Sequence, residues 1–173
     1  MEYDINEPLL TQVNIIDNFF PPEVFIEVHK WFTEECYWFY NPYVNKEGDH
    51  PDDYQFQHVF LLPGRGPVTD CMFALQPFFE RIHASEWIRV KANLRPKCHE
   101  MRIGGFHIDY EDCITSIFYF NDNNGQTTFE SGGYVKSVAN RLITFPSNLR
   151  HSGSTCTDAK ARFVLNLNYR PPT

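Results

Sequence analysis

The chain has 173 residues, of which 42% are hydrophobic and 16% aromatic. That supply of apolar side chains is enough for one buried core and leaves little for a second, so we expect a single domain over residues 1–173. The formal net charge is -7. A chain of this charge carries no overall basic field, which argues against nucleic acid as its partner.

The cysteines also exclude some classes of protein. There are five, an odd number, and they form no C-x-x-C pair and no zinc-ribbon spacing. We therefore expect neither a disulfide framework nor a thiolate metal site, and the expected location is the reducing cytoplasm. The N-terminus is acidic and lacks the basic segment of a secretion signal. No uncharged stretch approaches the roughly 20 residues of a membrane span, so no membrane partner is expected.

The first half of the chain predicts helices around a long loop. Val13 to Phe20 is a short apolar run that predicts a strand. It feeds a predicted amphipathic helix over Pro22 to Thr33, where apolar residues recur at helical spacing behind a proline. Asn41 to Gln57 is rich in Pro, Gly, Asp and Tyr without clear periodicity, which indicates a loop. Val68 to Ala84 predicts a second amphipathic helix that Pro77 kinks or splits.

From Trp87 onward the chain has the short, alternating or β-branched segments that are typical of strands. Turn sequences such as Asn121 to Gly125 separate them. We expect a mainly β fold with flanking N-terminal helices, with helical support over about 1–86 and the β core over about 87–173. The predicted strands are Ile88 to Arg95, Cys113 to Asn121, Gln126 to Glu130, Tyr134 to Val138, Arg141 to Phe145 and Arg162 to Tyr169.

An H-x-D pair suggests a metal site. His107 and Asp109 lie two residues apart, which in an extended segment places both side chains on one face. His151 follows at the predicted start of a later strand. Two histidines and one carboxylate on one side of a metal leave three positions open, the ligand set of non-haem iron(II) oxygenases. His50 to Asp52 has the same H-x-D spacing, but its central proline and loop setting make it a poor candidate.

The last predicted strand places polar residues on one face. Arg162, Val164, Asn166 and Asn168 alternate with apolar residues that would pack on the core. Such an alternation is expected where one side of a strand borders a polar cavity. The planar guanidinium of Arg162 is suited to binding a dicarboxylate there, because it can hold a carboxylate through two hydrogen bonds.

These motifs together carry a family resemblance. Residues 90–170 resemble the 2-oxoglutarate and iron(II)-dependent dioxygenase superfamily, closest to its prolyl-hydroxylase-like branch. Gln126 stands where many relatives have a second glycine, and the strand from Val90 to Pro96 lacks the tyrosine that many prolyl hydroxylases place near its end. The resemblance rests on five segments in this order: His107 to Asp109, Cys113 to Asn121, Gly125 to Phe129, Pro146 to His151, and Arg162.

The resemblance implies a fold, cofactors and site residues. The fold would be a double-stranded β-helix, or jelly roll. The cofactors would be Fe(II), 2-oxoglutarate and O2, with ascorbate as a stimulant. Its metal ligands would be His107, Asp109 and His151, and Arg162 would complete the catalytic set by binding the distal carboxylate of 2-oxoglutarate. Four further residues are candidates for the 2-oxoglutarate pocket: Tyr119, Asn93, Asn166 and Asn168.

The reaction that the resemblance implies is hydroxylation of an unactivated C–H bond, with release of succinate and CO2. Asp109 favours hydroxylation, because halogenating relatives have a small residue at that place. The substrate stays open between a prolyl residue in a protein or peptide and a free amino acid or other small metabolite. A non-catalytic, cupin-like metal- or ligand-binding jelly roll is the alternative, and nucleic-acid repair is a weaker third reading.

Two further expectations concern the walls of the cavity. The loop from Asn41 to His58, rich in Tyr and Asp, is a candidate substrate lid. Five phenylalanines are expected to form apolar walls that keep water away from the oxidant: Phe106, Phe118, Phe120, Phe129 and Phe145.

Overall fold

A computed structural model describes residues 12–44 and 53–172 of the chain. The H-x-D pair of His50 to Asp52 and the middle of the candidate lid lie outside these residues. The strands are β1 (Asn14–Ile16), β2 (Phe39–Asn41), β3 (Gln55–Leu62), β4 (Gly66–Pro67), β5 (Glu86–Pro96), β6 (Ile114–Tyr119), β7 (Gln126–Phe129), β8 (Tyr134–Lys136), β9 (Arg141–Pro146), β10 (His151–Gly153) and β11 (Ala161–Arg170).

The strands form two antiparallel sheets. The main sheet has eight strands in the order β1-β9-β6-β11-β5-β3-β2, with β4 paired to β3, and the smaller sheet has the order β10-β7-β8. β11 is central, since it pairs with β5 on one side and β6 on the other. The prediction of a mainly β jelly roll with flanking helices is confirmed.

The helices are shorter than predicted. α1 spans Pro22–Lys30 and continues as a single π-helical turn over Trp31–Glu35. The second predicted helix is a 3₁₀ segment at Cys71–Leu75 followed by α2 at Gln76–Arg81. Pro77 lies in the first turn of α2, so of the two alternatives the predicted helix is split there and not kinked. This position suits proline, because the first turn leaves its backbone N–H groups unpaired.

The N-terminal half supplies strands to the main sheet as well as helices. Asn41 lies in β2, and Gln55 to Gln57 lie in β3, so both ends of the predicted loop are strand. His58, at the end of the candidate lid, is a buried residue of β3. The polar glutamines of β3 hid the strand, because a strand that places polar side chains towards a cavity shows no apolar period.

An aromatic core fills the space between the helices and the outer face of the main sheet. Phe118 and Phe120 are fully buried in this core, where the rings of Phe32 and Phe120 stack at 4.4 Å. The expectation that Phe118 and Phe120 line the cavity was therefore wrong. Alternation along β6 explains the error, because it turns Ile117 and Tyr119 to the opposite face.

A second core lies between the two sheets and borders the candidate site. It contains Phe129 and Phe145, whose rings meet edge to face at 5.1 Å. The ring of Phe145 lies 4.8 Å from that of His151, which agrees with its expected place in the wall. No helix among the described residues is long and apolar enough to cross a bilayer. The five cysteines are free thiols.

Candidate metal centre and co-substrate pocket

Three potential metal ligands converge between the sheets. One ligand atom from each of His107, Asp109 and His151 lies within 4.8 Å of the other two. Nε2 of His107 is 3.9 Å from Oδ1 of Asp109, and Nε2 of His151 is 3.8 Å from Oδ2. These separations leave room for one ion between the three side chains, since metal–ligand bonds to nitrogen and oxygen are about 2.0–2.2 Å long.

Backbone hydrogen bonds hold the two histidines beside each other. β10 begins at His151, and His107 forms an isolated bridge with it, in which each N–H donates to the other residue's carbonyl at 3.0 and 2.9 Å. Nδ1 of His107 lies 3.2 Å from the carbonyl of Gly105, and Nδ1 of His151 lies 2.9 Å from that of Leu149. A proton on each Nδ1 satisfies those carbonyls and leaves both Nε2 atoms as acceptors for a metal.

Asp109 is held from three sides. Nη2 of Arg89 donates to its Oδ1 at 2.6 Å, and Thr115 Oγ1 and Asn168 Nδ2 donate to its Oδ2 at 2.9 and 3.0 Å. Burial by itself would raise the pKa of this carboxyl. The charge of Arg89, that of His151 when it is protonated, and the two hydrogen bonds outweigh burial and hold the pKa well below its usual range. Asp109 is therefore an anion at neutral pH, as a metal ligand must be.

The chemistry of these donors fits iron(II). Burial lowers the pKa of His151, which favours its neutral form, and a neutral imidazole is the form that binds a metal. The side chains of Asp109 and His151 are only 4% exposed, whereas that of His107 is 38% exposed. The site is therefore closed on the side of Asp109 and open beside His107, where further ligands can enter.

Arg162 lines the same cavity and pairs with no carboxylate of the described residues. It is 4% exposed, and its Nε donates to Ser137 Oγ at 2.8 Å while Nη2 donates to Thr127 Oγ1 at 3.3 Å. Its guanidinium carbon is 5.4 Å from the ring centre of Tyr119. No ion pair with Arg162 occurs within the described ranges. Burial lowers the pKa of Arg162, but a guanidinium remains charged at neutral pH, so it calls for an anionic ligand.

Two glycines make room for this arginine. A Cβ on Gly125 would lie 2.7 Å from Cδ of Arg162 and 3.0 Å from the carbonyl of Thr155. A Cβ on Gly153 would lie 3.3 Å from Nη1 of Arg162. A side chain at either position would press on the side chain of Arg162, which explains why a glycine suits both.

The four candidates for the 2-oxoglutarate pocket occupy different places. Asn93 and Asn166 line the cavity, and each has a buried Oδ1 without a hydrogen bond. Tyr119 is fully buried behind it and donates to Thr127 Oγ1 at 2.7 Å. Asn168 differs from the expectation: its amide donates to Asp109 and Thr115, so its contacts are with the metal ligand and its supporting residue.

Sequence analysis missed three basic residues of β5. Arg89, Lys91 and Arg95 share one face of that strand with Asn93, and Lys91 and Arg95 line the cavity. The signal was present, since polar residues at 89, 91, 93 and 95 alternate with Val90, Ala92 and Leu94 in the manner of β11. The described residues that line the cavity are Val44, Gln55, Lys91, Asn93, Arg95, His107, Ile117, Thr127, His151, Gly153, Arg162, Val164 and Asn166.

Comparison with known proteins places this fold. The sequence matches no family model and no curated protein. Among solved structures, it is similar to an oxidoreductase of the 2OG-Fe(II) oxygenase family from Burkholderia pseudomallei, with a TM-score of 0.66 and 10% identity over 92% of this chain and 85% of that one. The chain has the 2-oxoglutarate oxygenase fold.

Two further structures with this fold carry informative ligands. One is a prolyl hydroxylase from Trichoplax adhaerens in complex with a peptide of the hypoxia inducible factor oxygen degradation domain, with a TM-score of 0.60 and 14% identity over 92% of this chain and 84% of that one. The other is HygX from Streptomyces hygroscopicus with nickel and 2-oxoglutarate bound, with a TM-score of 0.59 and 12% identity over 93% and 83%. The expected likeness to the oxygenase superfamily and its prolyl-hydroxylase-like branch is confirmed for the fold.

Proposed function

We propose that this chain is a 2-oxoglutarate- and Fe(II)-dependent dioxygenase that hydroxylates an unactivated C–H bond and releases succinate and CO2. The observation that carries the proposal is one cavity lined by both histidines of a His-Asp-His set and by an arginine without a carboxylate. A metal-binding jelly roll of another kind needs no buried, unpaired guanidinium near its metal, because such a charge is costly to bury.

Each residue has a definite part in this reaction. His107, Asp109 and His151 hold the metal, and Arg162 binds the distal carboxylate of 2-oxoglutarate with Tyr119 beside it. Bound iron supplies the redox chemistry by which O2 and 2-oxoglutarate are converted into an oxidant of the substrate. Thr115 and Asn168 orient Asp109 through their hydrogen bonds. Phe129 and Phe145 exclude water from the side of His151.

The substrate class proposed from the resemblance is a prolyl residue in a protein or peptide. The Trichoplax adhaerens neighbour, which holds a peptide, supports this choice. A free amino acid or another small metabolite is the second candidate, and the polar lining of the cavity beside Lys91 and Asn93 favours it. Ascorbate is proposed as a stimulant of turnover and tested by omission.

Succinate formation tests the reaction class. Purified protein is incubated with Fe(II), 2-oxoglutarate and O2, with and without ascorbate, and succinate is measured. We expect wild type and His29→Ala, a substitution on α1 far from the site, to form succinate at the same rate. His107→Ala should lose it, and Arg162→Lys should raise the KM for 2-oxoglutarate at least tenfold, because an ammonium cannot replace the two-pronged guanidinium contact.

The cupin-like alternative makes the opposite prediction. A non-catalytic module would bind metal through His107, Asp109 and His151 but would form no succinate under any of these conditions. That result, with metal binding intact, would overturn the enzymatic proposal. Mass spectrometry for a gain of one oxygen, on proline-containing peptides in one arm and on a metabolite panel in the other, distinguishes the two substrate classes.

A further inference from the structure

The inner face of β5 carries three cations, and one of them pairs with no carboxylate of the described residues. Arg89 donates to Asp109 at 2.6 Å, and Nη2 of Arg95 is 3.3 Å from Oδ2 of Asp53. Lys91 lies between them on the same face and lines the cavity. Within residues 12–44 and 53–172, no carboxylate pairs with its ammonium. The cavity thus contains a second cation without an anion, in addition to Arg162.

The side chain of Lys91 is partly buried at the edge of the cavity. Burial, followed by the neighbouring charge of Arg89, lowers the pKa of Lys91 to about 8, despite an opposing effect of Asp109. A desolvated cation without an anion is unfavourable, and the structure retains it at the border of an open cavity. An anionic ligand at this place would regain the lost interaction, which is the usual sign of a binding subsite.

The backbone of the sheet places Lys91 and Arg162 at different levels of the cavity. In the register of the sheet, Arg162 pairs with Arg95 while Lys91 pairs with Asn166. Four residues therefore separate the two levels, or about 13 Å along the strands at 3.2–3.4 Å per residue. Arg162 also leans towards β7 and β8, where it contacts Thr127 and Ser137. The Lys91 subsite lies on the other side of the cavity, on β5.

The two residues beside Lys91 in the sheet each carry an acceptor without a hydrogen bond. Asn166 is the cross-strand partner of Lys91, and Asn93 is its same-face neighbour on β5. Both side chains line the cavity, and both have a buried Oδ1 without a hydrogen bond. A ligand that satisfies all three groups brings an anion for Lys91 and N–H donors for the amide oxygens. An unblocked amino acid carries both groups on its α carbon.

We propose that Lys91 binds the carboxylate of the primary substrate, that Asn166 and Asn93 accept from its amino group, and that the substrate is a free amino acid. This inference rests on the proposed oxygenase activity and decides between its two substrate classes. An internal prolyl residue of a peptide has neither a free carboxylate nor a free amine and would not pair with Lys91. The subsite thus selects against internal residues as well as for the free amino acid.

Matched ligands test the subsite. The twenty L-amino acids and their carboxamides are titrated by calorimetry into protein loaded with Ni(II) and 2-oxoglutarate, and tested for stimulation of succinate formation with Fe(II). We expect at least one amino acid to bind and to stimulate, and its carboxamide to bind at least tenfold more weakly, since a charge-assisted hydrogen bond is lost.

Three variants locate the effect. Lys91→Met should weaken binding of the amino acid at least tenfold more than it weakens binding of 2-oxoglutarate. It should also abolish the preference for the acid over the carboxamide. Lys91→Arg, which keeps the charge, should retain that preference. Lys97→Met removes an exposed lysine just beyond β5 and should match wild type.

Several outcomes would overturn the proposal. These are binding of no amino acid, equal binding of acid and amide, or an equal loss of 2-oxoglutarate affinity in Lys91→Met, which would assign Lys91 to the co-substrate. Stimulation by a peptide with blocked termini, unchanged in Lys91→Met, would also overturn it. If wild type forms no succinate, the proposed oxygenase activity is wrong. Calorimetry with the same pairs of acid and carboxamide would still decide for or against the subsite.

Discussion

The hydroxyl of Thr115 lies 2.9 Å from Oδ2 of Asp109, the carboxylate that faces both histidines of the candidate metal centre. Thr115 is fully buried on β6, and its Oγ1 also accepts a hydrogen bond from Nδ2 of Asn168 at 2.9 Å. The two side chains therefore form one network that fixes the orientation of the carboxylate. Such supporting hydrogen bonds govern how well a ligand meets its metal.

Thr115→Val should weaken metal binding. Valine has nearly the shape of threonine but offers no hydrogen bond to Asp109, so the carboxylate loses one of its fixed contacts. We expect the dissociation constant for Fe(II) or Ni(II), measured by calorimetry, to rise about tenfold. Thr144→Val is the matched control, because Thr144 bonds Ser116 on the main sheet and does not contact Asp109. Equal metal affinity in wild type and Thr115→Val would contradict the orienting role.

Gly125→Ala should weaken 2-oxoglutarate binding. The added Cβ would lie 2.7 Å from Cδ of Arg162, so the arginine must move from the position that the cavity gives it. We expect a rise of about tenfold in the KM for 2-oxoglutarate, with metal affinity unchanged. Gly153→Ala is a graded comparison, because its Cβ would stand 3.3 Å from Nη1 of Arg162 and should have a smaller effect. A larger rise in KM for Gly153→Ala than for Gly125→Ala would count against the steric explanation.

The stability of the protein should depend on pH through Lys91. Burial lowers the pKa of Lys91 in the folded protein to about 8, below its ordinary value of 10.5. Between these values the unfolded chain binds more protons than the folded protein, so the free energy of unfolding rises with pH. The folded state is therefore penalised most below pH 8, and the penalty is gone above pH 10.5.

Lys91→Met should remove this dependence. We expect the variant to be more stable than wild type at pH 7, and the difference to shrink as the pH approaches 10. Urea denaturation of both proteins across this range measures it, and titrations common to both proteins cancel in the difference. Arg89 and Asp109 are the charges that act on Lys91, and both remain in the variant. A difference that stays constant with pH would show that the ammonium is already well solvated.

Asp53→Ala should destabilise the fold strongly. Its carboxylate is 5% exposed, with Oδ2 3.3 Å from Nη2 of Arg95 and Oδ1 3.5 Å from Nη2 of Arg102. Removing it would break both ion pairs of a buried carboxylate, at a cost of about 3–5 kcal/mol. Asp17→Ala removes the carboxylate of a more exposed pair with Arg141 and should cost under about 1 kcal/mol. Thermal denaturation measures the loss of stability in both variants. Similar losses would contradict the prediction that the buried ion pairs contribute more than the exposed one.

Sequence patterns were sufficient for the second half of the fold. The strands β5, β6, β7, β8, β9 and β11 lie within a few residues of their predicted ranges, because alternation of side chains and strong turns are local properties. The first half was harder to predict. β2 and β3 lie at the ends of a predicted loop, since their polar residues hide the strand period and their stability comes from pairing with each other and with β5.

The sequence by itself determined which residues were candidates for the site, since H-x-D, a distal histidine and a late arginine recur in one order in the oxygenases that the chain resembles. Only the tertiary structure decided how neighbouring strands combine their side chains. It turned Phe118 away from the cavity, joined Asn168 to Asp109, and set Lys91 opposite Asn166. The reason is physical: spacing within a strand fixes which residues share a face, whereas pairing between distant strands fixes what that face meets.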